Sequence, residues 1–181
     1  MQIPLAGPSI SDKERKSVAK VLQTNTLSLG SEAQEFERKL AKQAKRKYAV
    51  AVNSGTAALH LIVRSLGIGK GDEAITTPFS FITSSNCFVY EGAKPVFVDI
   101  DGKTRNIDPA QIEKKITKKT KAILAVDCFG HPVEWDPIVR IAKKHNLAVI
   151  ADSAESIGSA YKGRPCGSFG DAAIFSFYPN T

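Results

Sequence analysis

Leu147-Ala148-Val149-Ile150-Ala151-Asp152-Ser153-Ala154-Glu155 is the stretch on which the fold turns. Five apolar residues end in an acid, and small polar residues follow. A strand of this composition is apolar on both sides, so both of its faces must be covered. Working back, 137–145 has helical spacing, and before it stands a second apolar run, 122–126, which closes in Asp127-Cys128-Phe129-Gly130-His131. Strand, helix and strand, with both strands apolar throughout, predict a parallel pair joined by a right-handed crossover.

The same alternation extends outward. Apolar runs rich in Val, Ile and Ala stand at 49–52, 74–77, 96–98, 122–126, 147–151 and 172–177. Helical patterns at 56–66, 80–91, 109–117 and 137–145 separate most of them. Asp108-Pro109 and Asp136-Pro137 read as N-cap plus proline helix starts. The fold class is therefore α/β, a three-layer α/β/α arrangement around a mostly parallel sheet. Two further helices precede it. Ser11 with Glu14 forms a capping box before a helix to about Gln23, and Ser31 with Gln34 repeats the pattern before a helix to about Lys45. The chain thus divides into a helical N-terminal arm over 1–46 and an α/β domain over 47–181.

Composition narrows the function classes. The 181 residues are 43% hydrophobic and 24% charged, which excludes a disordered tail and a collagen-like repeat. Twenty-five Lys and Arg against eighteen Asp and Glu give +7, which suits an anionic ligand or a nucleic acid and decides neither. The Lys-rich stretch 114–121 lacks interleaved aromatics, so no nucleic-acid partner is expected. Cys87, Cys128 and Cys166 are scattered with no C-x-x-C spacing, and the expectation is free thiols in a reducing compartment. The N-terminus has no signal-peptide pattern and no run reaches membrane-spanning length, so the expected location is cytoplasmic, with no membrane partner.

In open α/β sheets ligands bind beyond the C-terminal ends of the strands. The residues that follow the strands are therefore the candidates. Ser54-Gly55-Thr56-Ala57 opens a helix straight after a strand, where Gly55 would permit a close approach of the backbone. The N–H groups of Thr56 and Ala57 would point out of the helix end toward a phosphate, or the motif is a plain N-cap turn. Asp152 could hold a protonated ring nitrogen or cap the turn after it. Phe81 is a rim aromatic or a core phenylalanine. Gly67, Gly69 and Gly71 follow a helix and precede a strand, the reverse of a dinucleotide fingerprint, and read as a helix stop. His60, His131 and His145 have no metal-site spacing and read as structural; no metal is expected.

Many short motifs occur together and in order. They include Leu27-Ser28-Leu29-Gly30, Asn53-Ser54-Gly55-Thr56-Ala57-Ala58-Leu59, Gly92-Ala93-Lys94-Pro95-Val96-Phe97-Val98-Asp99, Gly130-His131-Pro132, Asp152-Ser153-Ala154-Glu155, Gly167-Ser168-Phe169-Gly170-Asp171 and Phe175-Ser176-Phe177. From Ile3 onward the chain resembles the DegT/DnrJ/StrS group of sugar-nucleotide aminotransferases, which have the aspartate-aminotransferase fold and use pyridoxal 5'-phosphate. The resemblance implies a phosphate cradle at Gly55, Thr56 and Ala57, completed by the hydroxyl of Ser176. It implies that Phe81 stacks on the pyridine ring, that Asp152 keeps the ring nitrogen protonated, and that Glu155 stands where the family often has Gln or His against the other ring face.

The reaction so implied moves an amino group from glutamate or glutamine to a keto sugar carried on a nucleoside diphosphate, in a homodimer. The family's Schiff-base lysine would stand five residues after Ser176, at Thr181, which has no amine. The resemblance therefore implies an incomplete cofactor-binding large domain, without the family's smaller C-terminal domain, and the expectation of a truncated, inactive form with no catalytic residue. Cofactor binding would be weak or lost. The alternative expectation is a non-catalytic descendant that binds a ligand or a partner.

Overall fold

The computed structural model describes residues 7–178. Ile3-Pro4-Leu5 and Thr181 lie outside the described residues. The described residues group into two compact units, one comprising Val52–Phe177 and the other the residues up to Ala51 together with Tyr178.

The larger unit is an α/β sandwich. Five strands, β1 (Glu73–Thr76), β2 (Lys94–Phe97), β3 (Thr120–Val126), β4 (Ala148–Asp152) and a strand at Ala172–Ile174, lie in the order β2-β1-β3-β4-(172–174), and every pairing is parallel. The register pairs Val126 with Asp152 and Asp152 with Ile174, so three strand ends finish at one level. Successive residues alternate between the faces, as a pleated strand requires. Ala122, Leu124, Val126 and Ile150 pack with Leu59, Val63 and Phe88 on one side. Ile123, Ala125, Val149 and Ala151 pack with Ile112, Trp135 and Ile138 on the other. Two separate cores on one sheet make the three layers read from the sequence.

The helices of this unit are α3 (Gly55–Ser65), α4 (Thr83–Tyr90), the short α5 (Pro109–Ile112) and α6 (Trp135–His145). Here α3 is numbered after the two N-terminal helices α1 (Asp12–Leu22) and α2 (Ser31–Gln43). An antiparallel pair, β5 (Ala160–Tyr161) and β6 (Arg164–Pro165), has no counterpart among the predicted strands. Its turn is Lys162-Gly163, with φ of 49° and 77°, the left-handed pair that two-residue hairpins use. The strand at Ala172–Ile174 is therefore β7.

Several boundaries differ from expectation, each for a local reason. The run 49–52 forms no strand; no described strand pairs with it, and the Ala51 N–H is instead taken by the Glu37 carboxylate at 2.8 Å. The expected strand 172–177 stops at Ile174, because its partner β4 ends at Asp152. The helix expected over 109–117 narrows after Ile112 into a 3₁₀ turn, Glu113–Lys115. Ser11 and Glu14 do cap each other at α1, but at α2 the N-cap is Gly30, whose carbonyl accepts from Ala33 and Gln34, so Ser31 is already helical. Asp108 caps α5 through Ala110 N–H at 3.0 Å. Asp136 is no cap; it lies inside the first turn of α6, and its carboxylate holds Lys162. Gly67 and Gly71 sit in left-handed turns after α3, as a helix stop requires. No described helix is long and apolar enough to cross a membrane.

Candidate active site

Asp152 ends β4 with 5% of its surface exposed. Its Oδ2 accepts from Ser84 Oγ at 2.8 Å and its Oδ1 from Ala154 N–H at 3.3 Å. No Lys, Arg or His pairs with it among the described residues. Burial pushes its carboxyl above the usual aspartate range, Ser84 and Ala154 pull it back, and the nearby acids Asp127 and Glu155 push it further up. A buried carboxylate supplied only with neutral donors still lacks a positive partner.

The candidate phosphate end is the start of α3. Ser54 is its N-cap and accepts from Ala57 N–H at 3.1 Å, while Ala58 N–H bonds the Ser54 carbonyl at 3.0 Å. The Ala57 N–H, expected to point outward, is thus already engaged, and the N–H groups at the open end of the helix are those of Gly55 and Thr56. A methyl group on Gly55 would stand 3.7 Å from Ser176 Cβ and 3.8 Å from Ser176 Oγ, so Ser176 faces this helix end directly. Gly55 has no left-handed backbone, and those distances are ordinary contacts. Neither its conformation nor its neighbours forbid a side chain; the space in front of Ser176 is what the glycine preserves. We expect Gly55→Ala to change stability by no more than about 1 kcal/mol and to weaken pyridoxal-phosphate binding about tenfold by occupying that space. Thermal unfolding and a fluorescence titration measure the two effects separately.

The remaining predicted residues fall on the same rim. Phe81 is 76% exposed, so it is not a core phenylalanine. Its carbonyl accepts the Ser84 N–H at 3.0 Å, which ties it to the residue that holds Asp152. Thr56 Oγ1 and Thr83 Oγ1 lie 3.0 Å apart and join the starts of α3 and α4. Glu155 is exposed, and its Oε2 accepts the Phe129 N–H at 2.8 Å. Gly55, Thr56 and Ser176 therefore cluster, Phe81 and Asp152 connect through Ser84, and Glu155 reaches instead to the turn after β3.

Sequence reasoning missed Thr83 and Ser84 and assigned no role to Asp127. Thr83 and Ser84 belong to a small polar run at a helix start, a signal present but not specific. Asp127, the residue after β3, is fully buried, accepting from Ser153 Oγ at 2.7 Å, Ser156 Oγ at 3.1 Å and Val133 N–H at 3.0 Å. Burial raises its carboxyl as well. All three cysteines are free and buried; burial pushes the Cys87 thiol up to about 12 and that of Cys128 up to about 11, so neither is a thiolate nucleophile at neutral pH. His60 and His145 are held by Glu91 and Glu113, at 2.6 and 2.8 Å.

The parallel sheet with helices on both faces superposes on solved aminotransferases. Over residues 8–181 it matches the DegT/DnrJ/EryC1/StrS aminotransferase family, and it belongs to that family. It is 46% identical over 179 residues to a GDP-perosamine synthase of Escherichia coli O157:H7, covering 98% of this chain and 49% of that relative. The X-ray structure of the aminotransferase from Psychrobacter cryohalolentis superposes with a TM-score of 0.93 at 42% identity, covering 97% of this chain and 45% of that one. Two structures of a Streptococcus pneumoniae protein, one in a PMP-form and one in a PLP-form, each give a TM-score of 0.94 at 33% identity, covering 99% and 100% of this chain and 49% and 50% of theirs. The chain spans about half the length of the relatives it matches.

Proposed function

We propose that this chain carries the cofactor contacts of a pyridoxal-phosphate-dependent aminotransferase that acts on keto sugars attached to a nucleoside diphosphate, with glutamate or glutamine as amino donor. The buried Asp152 carries the reading: it is fixed by Ser84, has no cation among the described residues, and fits a protonated pyridine nitrogen. The open end of α3 beside Ser176 fits a phosphate. When bound there, the cofactor supplies an electron sink for deprotonation of the amino donor.

The chain's own residues then have distinct tasks. Gly55 and Thr56 donate backbone N–H groups to the phosphate, Ala57 continues the same helix start, and Ser176 adds a hydroxyl. Asp152 holds the proton on the ring nitrogen. Phe81 offers its exposed ring to one face of the pyridine, and Glu155 borders the other. Proton transfer at the donor carbon falls, by the family resemblance, to a lysine at a position occupied here by Thr181, outside the described residues. Threonine has no amine, so we take the 181-residue chain to bind the cofactor without a covalent anchor and without turnover. The assembly implied by the resemblance is a homodimer.

The test is a titration of the purified chain with pyridoxal 5'-phosphate. Binding that is reversed by dialysis and competed by inorganic phosphate is the expected result. No binding at millimolar cofactor, or transamination of a keto-sugar nucleotide by this chain alone, would refute the reading.

A further inference from the structure

Phe129 is the strained residue of the rim. Its backbone lies in the left-handed region, φ 53° and ψ 30°, where a bulky side chain is a conformational outlier. Glycine, asparagine and hairpin positions reach that region for local reasons. Phe129 has none of these; it lies in the 3₁₀ turn Cys128–Gly130, three residues beyond the end of β3, and exposes 77% of its surface. Strain combined with exposure persists only where the surroundings over-determine it. Here they do so from two sides. The Glu155 carboxylate holds the Phe129 N–H at 2.8 Å. The Phe79 ring meets the Phe129 ring edge to face, with centroids 6.1 Å apart.

The position of this turn matters. Asp127 N–H bonds the Asp152 carbonyl at 3.0 Å, so the turn that carries Phe129 begins beside the proposed ring-nitrogen acid. A third aromatic, Phe81, already serves the cofactor in the reading above. The Phe79–Phe129 pair is therefore left over, on the turn that begins beside Asp152.

We propose that Phe129 is a specificity-determining residue whose ring packs against the C–H face of the substrate's hexose, and that Glu155 is the positioning residue that keeps it there. The inference rests on the proposed function and deepens it. Phe129 costs the fold stability through its backbone and returns nothing to the core. Its return is contact area with an apolar sugar face, of the kind that aromatic rings in ligand sites provide. Toward the sugar, Glu155 acts through the Phe129 N–H, which its carboxylate holds. A glutamine keeps an acceptor oxygen and an alanine does not.

The experiment measures binding of GDP-mannose, GDP and pyridoxal 5'-phosphate to the full chain and its variants, together with thermal unfolding. For Phe129→Ala, GDP-mannose affinity is expected to fall about three- to tenfold, with GDP and cofactor affinities unchanged. Phe129→Gly is expected to weaken GDP-mannose equally and to raise the melting temperature, opposite signs that a residue kept for packing would not show. Glu155→Ala should mimic Phe129→Ala toward GDP-mannose, and Glu155→Gln should retain the wild-type affinity. Unchanged GDP-mannose affinity in Phe129→Ala overturns the inference, as does equal weakening of GDP, which would place the ring against the nucleotide instead. A wild-type chain that binds cofactor but not GDP-mannose overturns this inference alone. One that binds neither overturns the proposed function as well.

Discussion

Replacing Asp152 with asparagine is expected to make the protein more stable at neutral pH without cofactor, and about 10- to 100-fold weaker as a binder of pyridoxal 5'-phosphate. The affinity loss corresponds to the 1.5–3 kcal/mol of a hydrogen bond to a charged group. The gain in stability has the opposite origin. Asp152 is buried with neutral donors only, so its charged form is disfavoured and its folded value lies above the ordinary 3.8. A raised carboxyl binds its proton more tightly in the folded state. Between the ordinary value and the raised one, the folded protein holds more protons than the unfolded chain, so stability is greatest at the acid end of that window and falls as pH rises through it. Asp127 adds a slope of the same sign. Half-exposed acids such as Glu35, whose carboxyl beside Arg38 is pulled down to about 2, act in the reverse sense, and their contribution is lost as pH falls below the usual range. In Asp152→Asn the part of the slope due to this residue disappears. Thermal unfolding from pH 4 to 8, with and without cofactor, reads both effects. An asparagine variant that is less stable at every pH and binds cofactor normally would remove Asp152 from the site.

Trp135→Ala is expected to destabilise the larger unit by about 3–5 kcal/mol. The side chain is fully buried and stacks on Phe169 at 5.1 Å with planes 2° apart. Its removal opens a cavity in the core that covers the face of the sheet lined by Ile123, Ala125 and Val149. Trp135→Phe should cost far less, because the indole Nε1 has no hydrogen-bond partner among the described residues. Phenylalanine keeps the stack and removes that buried, unsatisfied donor, which by itself disfavours folding by about 1–3 kcal/mol. Urea unfolding of the two variants is decisive. Equal losses in both would mean that the indole nitrogen is satisfied in solution.

The parallel sheet was legible because β3 and β4 are apolar on both faces and are separated by a helix of matching length. Asp152, Phe81 and the Ser54-Gly55-Thr56 turn could be singled out as candidates because strand ends in such sheets are where ligands bind. Pairing was not legible. The run 49–52 has strand composition, but a strand needs a neighbour, and composition does not say whether one is present. The Lys162-Gly163 hairpin is too short for its period to show. The bond from Ser84 to Asp152 joins residues 68 positions apart, and no local pattern announces it. Glu155 shows the same limit: its place in the chain was readable, but its carboxylate's hold on the Phe129 N–H was not.

The bonds that tie Thr56 to Thr83 and Ser84 to Asp152 have a consequence for kinetics. They fasten the leading turns of two helices to each other and to a strand terminus through groups that belong to the protein itself. An incoming molecule then meets a surface that is already shaped, and little ordering entropy is lost on association. Tightness in such a receptor is governed by how slowly the guest departs, and substitutions around the cleft should alter residence time far more than the rate of arrival.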